Sequence, residues 1–282
     1  MYKRQQSAAD IAGSTLKYLI LILAGAWMLL PFFWMFSASL MTSKEVSHLP
    51  PPLLPAQPQW HNYVDVTQVV PLGRAYLNSL LVTSLTVVGI LFTSSLCGFA
   101  FAKYEFPGRD VLFLLILASM MIPFFVTLIP VFYIVKQLGW LNKLAGLILP
   151  SAVSAYGIFL MRQFMLGIPD ELLDAARIDG AGEFRIYWQI IIPLSGPALA
   201  TLGSFNFIGS WNAFLWPLLV IQSRELYTVP LALNSLRTYG METQFHNLQM
   251  AGTAVSVIPA LLVFVALQRY FVRGIAVTGL KG

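Results

Sequence analysis

IPDELLDAARIDGAGEFRIYWQIIIPLSGP, residues 168–197, is an island of charge and helix-forming residues between apolar segments long enough to cross a bilayer. It holds five acids (Asp170, Glu171, Asp174, Asp179, Glu183) and two arginines (Arg177, Arg185). Such a cluster is costly in hydrocarbon, so the island belongs in water, as a docking surface beside the membrane. Pro169 fixes φ for a helix start, and Asp170 is placed to cap. Asp170, Glu171 and Asp174 then fall in the first turns, where negative charge complements the helix dipole. Leu172, Leu173 and Ala176 form one apolar face, and the small Ala175 and Ala176 let another surface come close. Gly180 supplies the permissive backbone that stops the helix and turns the chain. A second helix is expected from about Glu183 to Ile192, with Pro193 and Gly196-Pro197 breaking the run. The stretch thus predicts a short helix–turn–helix lying across a membrane face.

The remainder of the chain is mostly oil. Of 282 residues, 57% are hydrophobic and 10% charged, against about a quarter charged in an average soluble domain. The expected class is an all-α integral membrane protein. The net charge of +5 comes from basic residues beside apolar spans, where they act as topology anchors, so nucleic acid is not an expected partner. Cys97 is the sole cysteine, which leaves no disulfide or thiolate metal site within the chain.

A crossing helix needs roughly 20 apolar residues. Six runs qualify as candidates: Leu16–Phe36, Leu77–Phe101, Val111–Val135, Leu144–Met161, Pro197–Ile221 and Met250–Leu267. The first follows Lys3, Arg4 and Lys17 but is too long for a cleaved signal, so it reads as an uncleaved span. Six spans place both termini on one side. With the N-terminus inside, Lys3, Arg4, Lys17, Lys103, Arg109, Arg162, Arg177, Arg185, Arg269, Arg273 and Lys281 are internal, eleven of the seventeen basic residues. The positive-inside rule therefore favours cytoplasmic termini. The expected organisation is a cytoplasmic N-terminus (1–15) and one transmembrane domain (16–282). Within it come an outer loop at 43–76, a cytoplasmic loop at 162–196, an outer loop at 222–249 and a cytoplasmic tail at 269–282. The Pro-rich stretch Leu49–Trp60 favours extended backbone. Ser94, Gly98 and Ala102, and likewise Gly196, Ala200 and Ser204, recur at four-residue spacing and read as close helix contacts.

The chemistry missing from the sequence narrows the function. There is no GxxxxGK[ST] phosphate loop, HExxH or CxxC, so no ATP site or metal centre is expected in this chain. His48, His61 and His246 fall in expected loops. Spans two to six hold no Asp, Glu, Lys or Arg, which argues against a proton relay. A membrane bundle without motor, relay or catalytic cluster must draw its energy from a partner, and the charged island is the obvious contact.

The segment DAARIDGAGEFRIYWQIIIP, Asp174–Pro193, resembles the cytoplasmic signature of ABC-importer permeases: Glu-Ala-Ala, a glycine four residues after the second alanine, then Ile-x-Leu-Pro. Asp174, Ala175, Ala176, Gly180, Ile190 and Pro193 fall in register. Asp174 replaces the usual Glu and Ile192 the usual Leu. Ser210-Trp211-Asn212 and the closing RYFVRGIAVTGLKG extend the resemblance, which is to the second permease subunit of maltose-type carbohydrate importers and spans nearly the whole chain. It implies a six-transmembrane-helix bundle of the ABC-importer permease (MetI-like) type in the bacterial inner membrane. It further implies a second homologous permease, two ATPase subunits that hold the ATP and Mg, and an external solute-binding protein. The island would be the coupling helix seated in an ATPase cleft, with Asp174 making a charged contact and Ala175 and Ala176 a close fit. The tail Arg273–Gly282 resembles family tails that reach the ATPase dimer, and Gln222–Gln249 would meet the binding protein.

Asn206, Ser210, Trp211 and Asn212 in span five are candidate sugar contacts, since sugars are held by hydrogen bonds and aromatic stacking. Buried Asn equally serves helix–helix hydrogen bonding. In the resembled maltose system the sugar contacts lie on the other permease. The expected function is import of an oligosaccharide or sugar-like polyol, without enzymatic activity in this chain. The alternatives are import of glycerol 3-phosphate or a glycerophosphodiester, and, more distantly, a membrane-embedded enzyme or stand-alone carrier.

Overall fold

Backbone amides and carbonyls in hydrocarbon find no solvent partner, so apolar runs close their hydrogen bonds internally as helices. The computed structural model describes residues 8–239 and 245–278, and no strand occurs among them. Residues 1–7 of the N-terminal segment, 240–244 of the second outer loop and 279–282 of the tail lie outside the described residues.

Helix α1 (Ala8–Ser39) carries the first apolar run. The first expected loop holds two short helices, α2 (Ser43–Ser47) and α3 (Asn62–Val69), separated by the non-helical Pro-rich stretch. A capping box starts α2: Glu45 N–H donates to Thr42 Oγ1 at 3.3 Å, and Thr42 N–H donates to Glu45 Oε2 at 2.7 Å. Helix α4 (Leu72–Lys103) begins five residues before the expected Leu77. Two chain units can be distinguished among the described residues, 8–69 with 236–239 and 245–255, and 70–235 with 256–278.

In the first unit Asn62 is the fastener. Its amide donates to the carbonyls of Ser39 and Met41, both at 2.9 Å, and its oxygen accepts from Asn247 Nδ2 at 3.0 Å. Asn247 lies on α15 (His246–Ser256), which with the start of α16 (Ile258–Thr278) supplies the last apolar run.

In the second unit three expected spans are broken, which corrects the reading of each as one helix. Val111–Val135 becomes α5 (Arg109–Met120) and α6 (Phe124–Gln137), bent by 103°. Pro123 sits at the break; it lacks an N–H and disfavours helix at Ile122. The fourth run becomes α7 (Ala145–Ile148), a 3₁₀ turn at Leu149–Ser151 and α8 (Ala155–Met165), with a 40° bend that Ser154 caps through Gly157 N–H. The island holds α9 (Asp170–Ile178), α10 (Glu183–Ile186), a π turn at Tyr187–Ile191 and α11 (Ile192–Leu194). Pro193 therefore does not stop this helix. The wide turn, closed by Ile192 N–H on Tyr187 O, carries the chain past the missing proline N–H. The break falls instead at Ser195, where α12 (Gly196–Trp211) leaves at 75°.

Span five also ends early. Helix α12 stops at Trp211, and the separate α13 (Leu215–Val220) follows. Starting a new helix at Leu215 places Pro217 in a first turn, where its missing N–H costs nothing. Finally α14 (Val229–Tyr239) turns the second expected outer loop partly helical. Among the described residues, by length and composition three helices can cross a membrane, or up to six if each bent pair is one span.

Helix α4 is the hub of this unit, packing on α8 and α12. Gly98 makes the first contact possible: a Cβ there would lie 2.6 Å from Met161 Cβ. The expected stripe of Ser94, Gly98 and Ala102 is thus a close approach at Gly98, whereas at Gly196 of the other expected stripe nothing lies within 4 Å of an added Cβ.

Candidate functional site

The island folds as a compact hairpin. Helix α9 turns Leu173 fully inward, onto a core shared with Met161, Met165, Ile186 and Ile191. Its C-terminus is a complete Schellman motif: Gly180 takes φ +81°, its N–H donates to Arg177 O at 3.0 Å, and Ala181 N–H donates to Ala176 O at 2.9 Å. Ala176 and Ala181 both pack against the core, which supplies the usual hydrophobic contact of that motif.

Arg177 ties the two arms together. It donates to Asp174 Oδ1 at 2.9 Å on its own helix and to Glu183 Oε1 at 2.9 Å across the turn. Glu183 also accepts a short hydrogen bond from the Tyr104 hydroxyl. Hydrogen bonding to Glu183 raises the Arg177 pKa, and the same bond holds the Glu183 carboxyl below its usual range. Tyr104 is pushed up to about 12 by burial first and by Glu183 second.

A second grip lies next to it. Lys103, last residue of α4, has a side chain only 3% exposed. Its ammonium donates to Ile168 O at 2.5 Å and to Asp170 Oδ1 at 2.6 Å, holding the N-terminal end of α9. Lys103 and Tyr104, adjacent in sequence, thus fasten both arms of the hairpin to the end of α4.

The hairpin leaves apolar side chains in the open: Ile178 is 86% exposed, Phe184 67% and Leu172 45%. Asp174, Ala175 and Gly180 are exposed beside them. Ala176 and Ile190 instead pack partly buried on the core, and Pro193 is exposed on the far arm. The six signature residues are therefore divided between an outward face and its foundation. In the sequence Lys103 carries only the signature of a topology anchor and Tyr104 none, because their partners lie 65 to 79 positions away.

The span-five candidates divide as well. A cavity of about 480 Å3 opens among α4, α6, the α7–α8 bend, α12 and α13, and Asn206 and Ser210 line it. Trp211 does not. It is buried, donates Nε1–H to Ser256 O at 2.9 Å, stacks on Phe207 at 6.0 Å and meets Tyr76 edge-on at 5.6 Å, which makes it a structural pin. Asn212 is exposed at the end of α12 and away from the cavity. The sequence reading missed the hydroxyl-bearing wall of α4, where Ser79, Thr83 and Thr86 face the same cavity. Their regular helical spacing carried the signal, but serine and threonine are ordinary in packed membrane helices.

Known proteins resemble this chain in sequence and fold. The family described as binding-protein-dependent transport system inner membrane component matches residues 90–277. The arabinooligosaccharides transport system permease protein AraQ of Halalkalibacterium halodurans is 41% identical, over 73% of each chain. The sn-glycerol-3-phosphate transport system permease protein UgpE of Yersinia pestis is 35% identical, over 92% of this chain and 94% of its own. A crystal structure of a bacterial ABC transporter involved in the import of the acidic polysaccharide alginate aligns with a TM-score of 0.81 at 25% identity. That alignment covers 95% of this chain and 100% of the other. With the family matched over most of its length, and relatives of this identity spanning most of the remainder, the chain belongs to the inner membrane components of binding-protein-dependent transport systems, the permeases of ABC importers.

Proposed function

We propose that this chain is the permease subunit through which an ATP-driven importer moves an oligosaccharide or sugar-like polyol across the inner membrane, and that residues 170–194 are its ATPase-docking element. One observation carries the docking role. The hairpin is internally fastened by Arg177, Asp174 and Glu183, yet it presents Leu172, Ile178 and Phe184 to the outside. An ordered polar scaffold with an uncovered apolar face is the pattern of a protein interface.

In this reading both termini and the hairpin lie in the cytoplasm. Two ATPase subunits bind ATP and Mg, and this chain holds no nucleotide and catalyses no reaction of its own. A second homologous permease completes the membrane pathway, and an extracytoplasmic solute-binding protein delivers the sugar. Asp174, Ala175 and Gly180 meet the ATPase, while Ala176, Ile190 and Pro193 shape the hairpin beneath them. Asn206 and Ser210 border the sugar path. The AraQ relative and the alginate importer both bear names tied to saccharide transport. UgpE, named for sn-glycerol 3-phosphate, supports the second reading of a phosphorylated polyol.

The test is reconstitution of the complex in proteoliposomes. ATP-driven sugar uptake is expected from wild type. Ala175→Trp and Phe184→Asp, both at exposed positions, are expected to lower it more than tenfold and to weaken ATPase co-purification. Full uptake by both variants would remove the docking role.

A further inference from the structure

We propose that the cavity is a saccharide subsite carried by this chain itself, selective for an uncharged, hydroxyl-rich unit and recognised through Thr86 and Thr228. The proposal rests on the import reading above. At about 480 Å3 the cavity falls within the ~300–1,000 Å3 of small-molecule sites. None of the residues lining it carries a charge, whereas hydroxyls enter from several elements, with Ser79, Thr83 and Thr86 on α4, Ser210 on α12, and Thr228 ahead of α14.

Thr86 and Thr228 stand apart from the other hydroxyls that line the cavity. They are 3% and 5% exposed, and neither hydroxyl has a hydrogen-bond partner among the described residues. Several helical hydroxyls outside the cavity bond back to their own helix: Thr93 to Gly89 O at 2.8 Å, Thr201 to Pro197 O at 2.9 Å and Ser204 to Ala200 O at 2.7 Å, whereas Ser94 does not. Thr86 forgoes that bond. Thr228 directly precedes a helix, where threonine commonly caps, yet its hydroxyl accepts no N–H of the first turn. A buried unpaired hydroxyl is costly, so the two are explained by a partner that arrives from outside the chain.

A sugar ring matches this wall. Its hydroxyls both donate and accept, as threonine hydroxyls do, and its C–H face suits the aromatic side chains of Phe124, Phe205 and Trp216 that also line the space. A phosphate or carboxylate would be stripped of water with no cation to receive it, which is strongly unfavourable.

The experiment uses the reconstituted complex, with its binding protein and a neutral arabino-oligosaccharide. Wild-type uptake tests the import reading. If glycerol 3-phosphate is taken up and no neutral oligosaccharide is, the sugar reading and the subsite fall together. With wild-type sugar uptake established, Thr86→Val and Thr228→Val are each expected to lower the uptake rate at subsaturating sugar about five- to tenfold, the effect of one net hydrogen bond. Thr86→Ser is expected to restore it to within about twofold, and recovery of the assembled complex is expected to be unchanged. Uptake at the wild-type rate in both valine variants overturns the subsite and leaves the import reading standing. Loss of the partner permease from the purified valine variants also overturns it, since the hydroxyls would then belong to the subunit interface.

Discussion

Lys103 shows how one side chain can mean something different from its sequence context. A lysine closing a bilayer-length helix usually reports topology, but here the ammonium is buried and bonded to Ile168 O and Asp170. Charged hydrogen bonds of this type contribute about 1.5–3 kcal/mol, somewhat less here because Asp170 is 76% exposed. Lys103→Met is therefore expected to keep the protein in the membrane while raising the ATP hydrolysed per sugar imported several-fold. An unchanged ratio would reduce Lys103 to an anchor. Arg177 acts across the turn, and its bond lowers the Glu183 pKa beneath 4.5. A lowered carboxylate pKa stabilises the hairpin above that value, and the contribution disappears as pH falls through the folded-state pKa. Amide exchange across 176–186 should therefore accelerate in acid relative to pH 7, after correction for intrinsic rates, and Glu183→Gln should remove that pH response.

At the level of elements, the hairpin turn and the α4–α8 contact depend on glycine for opposite reasons. Around Gly180 nothing lies within 4 Å of the place a Cβ would occupy, so its requirement is the backbone angle of +81° and not space. Gly180→Val should cost roughly 1–2 kcal/mol of local stability, seen as lost protection in the hairpin, whereas Gly180→Asn should be mild because asparagine tolerates the left-handed region. At Gly98 the limit is space, with Met161 Cβ 2.6 Å from an added Cβ. Gly98→Val should cost about 1–3 kcal/mol by overpacking and lower the thermal midpoint of the detergent-solubilised complex. A midpoint unchanged by Gly98→Val would show that α4 and α8 can separate freely.

At the scale of the whole molecule, α4 joins the two candidate sites. It carries Thr83 and Thr86 in the cavity wall, and Lys103 at its end grips the hairpin. Seventeen helical steps lead from Thr86 to Lys103, about 25 Å along the axis. A continuous helix of this length is suited to a rigid-body switch, by which the ATPase docking proposed for the hairpin would be transmitted to the cavity. Because no phosphate loop is present, the polypeptide alone should show no ATP-dependent uptake in vesicles, and adding the partner subunits should restore it. Uphill transport by the isolated chain would dismiss the coupling scheme.

Composition and patterning were enough to determine that the chain is helical and membrane-embedded, that a charged helix–turn–helix interrupts it, and where that hairpin turns. These properties are local: they follow from runs of apolar residues, capping positions and one glycine. Tertiary structure decided which spans break, that the helix passes through Pro193, that Trp211 is a pin and not a ligand of the cavity, and that α4 supplies a hydroxyl-bearing wall. Each of those outcomes depends on partners dozens of positions apart, or on how a proline's missing N–H is accommodated by its neighbours, and single-residue chemistry carries no record of either.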